Sequence, residues 1–198
     1  MRCFAISSDG IEYVFRDGLN TQRLFPAWLE QELRSDHAGE TGAMWIYRGI
    51  LAVSRDPAVY EFAERHLKTE TRHLKEIETL LPPKRRSRLL GLWRVAGFVT
   101  GALPALFGQR GVFYTIEAVE TFVDHHYQQQ IDKLQPIEDL TRDLATVRAV
   151  LIDCQADEIA HRDEAAANVT NEPGVIIRAW CYLVGVGSRS AVAVARHF

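Results

Sequence analysis

The sequence predicts an all-α protein, a bundle of long helices with further apolar helices along one side. Three observations carry this. No strand-like alternation of apolar and polar residues runs beyond residue 20. From Pro26 onward, apolar residues recur at helical spacing in long stretches separated by short, proline- or glycine-marked connections. Finally, Glu-x-x-His occurs twice, at 70–73 and 158–161, each time inside such a stretch.

With 198 residues, 47% of them hydrophobic, the chain suits one domain with a sizeable core. A net charge of −3 gives no basic signature, so no nucleic-acid partner is expected. Cys3, Cys154 and Cys181 are scattered and form no Cys-x-x-Cys. That argues against a disulfide framework and a thiolate zinc site, and favours a reducing compartment. Residues 1–25 contain Asp9, Glu12 and Asp17 without a sustained apolar run, so no signal peptide is expected. Within them, residues 2–16 read as a small hairpin around Ser8-Asp9-Gly10, of unclear role. Residues 26–198 form the helical domain.

The first helix is predicted over Pro26–Val53, with Leu29, Leu33, Glu40, Tyr47 and Leu51 along one stripe. Asp56-Pro57 then supplies an N-cap followed by proline at the first helical position, and the second helix stops near Leu81, before Pro82-Pro83. A third apolar stretch spans Leu89–Gly108, interrupted by Arg94 and Pro104. The fourth helix is expected over Gly111–Gln135, ending before Pro136, and the fifth over Ile137–Asn168. Pro173 opens a last apolar segment that reaches the C-terminus.

Residues three apart on a helix share a face, so Glu70 and His73 reach a common point, as do Glu158 and His161. The neighbours of both pairs on that face are apolar: Phe62, Leu67 and Ile77 for the first, Val147, Leu151 and Cys154 for the second. Unpaired charge there is costly, and a metal ion is the simplest compensation. Glu40 lies on a stripe with Leu33, Met44 and Tyr47, and Glu120 on one with Phe113, Ile116 and Tyr127. Each half of the chain thus reads as Glu followed by Glu-x-x-His on the next core helix. Ferritin-like di-iron bundles carry this pattern. Four glutamates balance two Fe²⁺ if both histidines are neutral, and mixed carboxylate–imidazole ligation suits iron or manganese better than zinc. A single Glu-x-x-His would read as a solvated helix face; two copies, each preceded by an inward Glu, do not. Among neighbours, Glu120 has more apolar surroundings than Glu117, His66 lies four before Glu70, and His37 reads as a hydrogen-bond partner of the site rather than a ligand.

"LRSDHAGETGA" (33–43), "TETRHLKEIE" (69–78), "IEAVETFVDHHY" (116–127) and "DEIAHRDEA" (157–165) resemble the demethoxyubiquinone hydroxylases of ubiquinone biosynthesis. The resemblance runs from about Leu29 to the "SRSAVAVARHF" tail and does not cover residues 1–25. It implies a ferritin-like four-helix bundle whose additional apolar helices face a membrane. By motif it implies six iron ligands: Glu40, Glu70, His73, Glu120, Glu158 and His161. It further implies two iron ions as cofactor, O₂ as co-substrate, and ring hydroxylation of a polyprenyl 3-methyl-6-methoxy-1,4-benzoquinol without flavin. Other proteins of the same pathway are implied partners. A reduced nicotinamide or a reductase is the expected electron source, although no glycine-rich dinucleotide fingerprint is visible.

Tyr47 and Tyr127 each lie seven residues beyond a site glutamate, about 10 Å along the helix. Either lines a quinol path or packs with its hydroxyl bonded inside the bundle, the latter being favoured. His126, in "HHY", is a candidate for proton transfer on the substrate side. A polyprenyl substrate resides in lipid. Leu89–Gly108 is long enough to span a bilayer, but Arg94, Pro104 and four glycines argue against spanning. With "KRRSR" (84–88) before it, the segment reads as an interfacial surface, completed by the apolar C-terminal helix. The expectation is a peripheral membrane protein, on the cytoplasmic side of the cell membrane in a bacterium. The competing readings are a ferritin- or rubrerythrin-like ferroxidase or peroxidase, and a quinone-binding scaffold without turnover.

Overall fold

The computed structural model describes residues 25–135 and 142–198, together with the backbone of residues 4–6 and 12–14. Two short strands, β1 (Phe4–Ile6) and β2 (Glu12–Val14), pair antiparallel, with Ala5 opposite Tyr13. The turn expected at Ser8-Asp9-Gly10 lies outside the described residues, as does Cys3.

Six helices follow among the described residues: α1 (Ala27–Val53), α2 (Pro57–Leu80), α3 (Leu90–Ala105), α4 (Gln109–Leu134), α5 (Arg142–Ala167) and α6 (Val175–Ala195). Local chemistry sets their ends. Asp56 Oδ1 accepts from the backbone N–H groups of Ala58 at 2.9 Å and Val59 at 3.2 Å, and Pro57 opens α2 with its φ already helical. Gly108, at φ +83, turns the chain from α3 into α4, which therefore starts two residues before the expected Gly111. Residues 136–141, where the fifth helix was expected to begin, lie outside the described residues.

The bundle consists of α1 packed on α2 and α4 packed on α5, with the two pairs facing each other. Its interior holds two apolar clusters. One gathers Tyr47, Ile50, Phe62, Phe113 and Ile116; the other gathers Leu29, Leu33, Ile77, Leu134, Val147 and Leu151. Glu40, Glu70, His73, Glu120, Glu158 and His161 fall between them along every one of the four helices, and all are buried.

Helices α3 and α6 lie outside the four-helix core. The contact of α3 with α1 is backbone on backbone. A Cβ at Gly97 would come within 2.2 Å of the Gly42 carbonyl oxygen, and one at Gly101 within 1.9 Å of that of Ile46. Glycine is therefore required at both positions. Helix α6 rests on α4 and α1, pinned by Trp180 Nε1 donating to Thr115 Oγ1 at 2.8 Å and by Arg196 paired with buried Glu32 at 2.8 Å. The outward faces of both helices stay apolar and exposed, notably at Val95, Ile176 and Leu183, and the turn after α3 exposes Leu106 and Phe107. α6 is long and apolar enough to cross a membrane by length and composition. The 16 residues of α3 span about 24 Å, short of a bilayer's hydrocarbon thickness.

Candidate metal centre

Each of the four core helices delivers its part of the centre by helical spacing. α1 contributes Glu40, α2 Glu70 and His73, α4 Glu120, and α5 Glu158 and His161. Their ligand atoms form two groups in which every atom lies within 4.8 Å of the others: Glu40, Glu70, His73 and Glu158, and then Glu70, Glu120, Glu158 and His161. Glu70 and Glu158 belong to both. Nδ1 of His73 stands 3.0 Å from Glu158 Oε1 and 3.7 Å from Glu40 Oε2; Nδ1 of His161 stands 3.1 Å from Glu70 Oε1 and 3.4 Å from Glu158 Oε2.

These approaches are close but not aligned as hydrogen bonds. Both histidine Nδ1 atoms, both oxygens of Glu70 and of Glu158, and Glu40 Oε2 are buried without a hydrogen-bond partner. Orphaned buried groups of this number are costly unless something else satisfies them. Ligand atoms gathered into two close groups without hydrogen-bond partners fit a pair of divalent cations, whose charge balances four carboxylates. The arrangement is compatible with a metal site.

Electrostatics in the protein without metal show the same tension. Burial, reinforced by the neighbouring carboxylates, pushes Glu70 and Glu120 well above the ordinary carboxylate range. Burial acts upward on Glu158 too, but His161 and His73 outweigh it and hold that carboxyl at about 2. Burial opposes protonation of His73, yet Glu158, Glu40 and Glu70 lift it far above the usual imidazole range.

Two tyrosines brace the outer glutamates across the bundle. Tyr47 of α1 donates to Glu120 of α4 at 3.1 Å, and Tyr127 of α4 donates to Glu40 of α1. Both hydroxyls are therefore bonded inside the bundle. Tyr127 also borders the cavity described below. His126 lies outside the two metal-ligand groups. Its Nε2 faces Asp36 Oδ1 at 3.0 Å and Ser35 Oγ at 3.3 Å, and Gln130 joins them. Burial raises Asp36, and its Oδ2 has no hydrogen-bond partner.

The other neighbours fall elsewhere. Glu117 is half-buried and borders a groove with Tyr114 and Arg178, away from the cluster. His66 bonds Glu164 at 3.0 Å and meets the ring of His161 edge-on, with ring centroids 3.9 Å apart. His37 turns to Glu78 at 3.3 Å, so its hydrogen bond goes to the Glu78–Arg86 pair rather than to the centre.

Asp157, Arg72 and Asp36 were not singled out from the sequence. Asp157 Oδ2 lies 3.0 Å from His73 Nε2 and is paired with Arg72. Their signal was present: Asp157 immediately precedes Glu158 in "DEIAH", and Asp36 sits one helical turn before Glu40 in "SDHAGE".

A cavity of about 510 Å³ begins at Glu40, Glu70, Glu120 and Glu158 and runs outward between α3 and α6. Trp93, Ala96 and Gly97 form one wall, Trp180, Leu183 and Val184 the other, while Asp36 and His126 border it within the bundle. The lining is overwhelmingly apolar away from the carboxylates.

A helical bundle with Glu and Glu-x-x-His repeated on paired core helices defines the ferritin-like carboxylate class. The family model of the ubiquinone biosynthesis protein COQ7 matches residues 27–195, and the chain belongs to that family. It is 37% identical over 145 residues to the 3-demethoxyubiquinol 3-hydroxylase of Rhodospirillum rubrum, covering 72% of this chain and 66% of that protein. It is 34% identical over 148 residues to the NADPH-dependent 3-demethoxyubiquinone 3-hydroxylase, mitochondrial, of Rattus norvegicus, covering 74% and 67%. Against the Caenorhabditis elegans protein of the same name, identity is 27% over 186 residues, 92% of this chain and 97% of that protein. The chain thus aligns with about two thirds of the length of the first two relatives.

Proposed function

We propose that the chain is an O₂-dependent di-iron monooxygenase that hydroxylates the ring of a polyprenyl demethoxyubiquinol at a membrane surface. The observation that carries this reading is the cavity, which joins a buried carboxylate–imidazole cluster to an exposed apolar face. Glu40 and His73 complete one metal position and Glu120 and His161 the other, with Glu70 and Glu158 shared between them. When bound, the two iron ions supply the reduction of O₂ and the transfer of one oxygen atom to the ring, the second oxygen leaving as water.

The chain's own residues do the rest. Tyr127 and Tyr47 hold the outer carboxylates in place, so that substrate entry does not rotate them out of the cluster. The apolar walls from α3 and α6 exclude water from the reacting ring and leave room for the prenyl tail to stay in lipid. His126 borders the cavity with its Nε2 paired to Asp36, which supports a role for this pair in proton exchange with a quinol hydroxyl. Two electrons come from a reduced nicotinamide or a reductase; the NADPH dependence in the name of the Rattus norvegicus relative supports the first. The expected location is peripheral, on the cytoplasmic face of a bacterial cell membrane.

A ferroxidase or peroxidase has no use for an apolar passage to the centre. A quinone-binding scaffold would use the cavity but consume no O₂. The test is anaerobic reconstitution with Fe²⁺ and reductant, followed by O₂ and the demethoxy quinol, with mass analysis of the product. A gain of one oxygen atom supports the hydroxylase. Iron oxidation with unchanged quinol returns the ferroxidase, and bound quinol without O₂ uptake returns the scaffold.

A further inference from the structure

The centre is close to two-fold symmetric: each half supplies Glu, Glu-x-x-His and a tyrosine that braces the opposite glutamate. One element breaks the symmetry. Behind His73, Asp157 Oδ2 stands 3.0 Å from Nε2, and Asp157 is itself held by Arg72. Arg72 is anchored in turn to Asp153 at 2.6 Å and Glu76 at 3.3 Å. Behind His161 no carboxylate stands among the described residues. Its ring is bordered by the edge of His66 and by Tyr47. By register, Asp157 is the residue before Glu158, so its counterpart is the residue before Glu70. That residue is Thr69, which is half-buried and makes no hydrogen bond to His161 among the described contacts.

We infer that the two metal positions are inequivalent: Asp157 is a positioning residue for His73, and the position completed by Glu40 and His73 binds its ion more tightly than that completed by Glu120 and His161. The physical chain is short. A carboxylate accepting the Nε2–H of His73 fixes the tautomer, which leaves the Nδ1 lone pair for the metal, and it also fixes the ring plane and raises the ring's basicity. Arg72 NH2 also lies 3.3 Å from Nε2, but the Asp157 contact is shorter. A ring accepting from Arg72 instead would carry its proton on Nδ1, the atom directed at Glu158 and Glu40. His161 has no carboxylate partner for its Nε2 among the described residues, so its tautomer and ring plane are less firmly set. Loss of such a partner weakens metal binding by roughly ten- to a hundredfold.

This inference rests on the reading of the six residues as ligands, and the experiment separates the two. Full-length apo protein is titrated with Co²⁺ alone, following visible absorption and heat, in backgrounds that keep one position at a time. Asp157→Ala should weaken Co²⁺ binding at least about tenfold in the His161→Ala background and leave it unchanged in the His73→Ala background. Asp157→Asn, which still accepts the Nε2–H, should recover part of the loss. Thr69→Asp, which places a carboxylate at the corresponding step, should tighten binding in the His73→Ala background. Far-ultraviolet circular dichroism checks that each variant is folded. If a double variant fails to fold, Asp157→Asn and Thr69→Asp in otherwise wild-type protein carry the test, the first weakening the tighter step and the second tightening the weaker. Equal effects in both backgrounds, or none, overturn the inequivalence while the metal reading stands. Wild-type protein that takes up no Co²⁺ overturns both.

Discussion

At the residue scale, helical spacing turns a linear pattern into a face, and on an apolar face each carboxylate of the two ligand-atom groups is conspicuous. Their supporting groups were harder to read. The bonds from Tyr47 to Glu120 and from Asp157 to His73 cross between helices distant in sequence, and no periodicity encodes which helices meet. His66 shows how strongly the interior constrains its titratable groups. Burial, then the adjacent His161, hold its imidazole at about 4, below the ordinary value near 6.5. The folded state therefore favours neutral His66, and the unfolded chain takes up the proton first as pH falls. The stability this represents is present above about 6.5 and lost on acidification towards 4, at most about 3 kcal/mol. Chemical denaturation of the metal-free protein between those pH values should show wild type losing more stability than His66→Gln. Parallel pH profiles would assign the acid sensitivity to other groups.

At the element scale, α1, α2 and α4 keep close to their predicted bounds, because Asp56-Pro57 and Pro82-Pro83 punctuate the chain, while the start of the fifth helix lies outside the described residues. The sequence did not reveal how α3 is attached. Gly97 and Gly101 read as reasons to doubt a spanning helix; in the structure they are where α3 touches the α1 backbone. Gly101→Ala should push α3 off α1 and cost about 1–3 kcal/mol in thermal or denaturant unfolding, although Ala is the better helix former. A neutral or stabilising effect would mean that α3 is free to shift. The basic run before α3 also needs revision. Arg85 is paired with Glu30 at 3.1 Å and Arg86 with Glu78 at 2.6 Å, which leaves Lys84 and Arg88 as its exposed charges without a side-chain ion pair among the described residues. Lipid attachment should then depend mainly on exposed apolar side chains such as Phe107, 77% exposed, and Ile176, 86% exposed. Serine at either position should weaken vesicle binding by roughly thirtyfold, from about 2 kcal/mol of lost transfer energy each, with little effect on folding. Neutralising Lys84 and Arg88, or raising the salt, should act more weakly. The reverse ranking would make the surface chiefly electrostatic.

At the scale of the whole molecule, a core that places four carboxylates between two apolar clusters trades metal-free stability for a site. Glu120, pushed up by burial and by Glu158 and Glu70, is part of that strain. Glu120→Ala relieves some of the repulsion but leaves a small cavity and removes the acceptor of Tyr47. The metal-free variant should melt no lower than metal-free wild type, while losing most of the stabilisation that added Fe²⁺ confers and all ring hydroxylation. A much lower metal-free melt with stabilisation and turnover retained would make Glu120 structural. The general architecture could be read in advance because each half of the chain repeats one simple pattern; the passage between α3 and α6 could not, because it is defined by where two unrelated apolar helices fail to meet. The sharing of Glu70 and Glu158 has a consequence for synthesis. Neither group of ligand atoms is complete within one half of the chain, since the first needs Glu158 and the second needs Glu70. A chain emerging from the ribosome can pair α1 with α2 early, but it presents only an incomplete chelate until α5 has been made. Either complete set of ligand atoms is therefore assembled only late in translation, after α3 and α4 and shortly before α6.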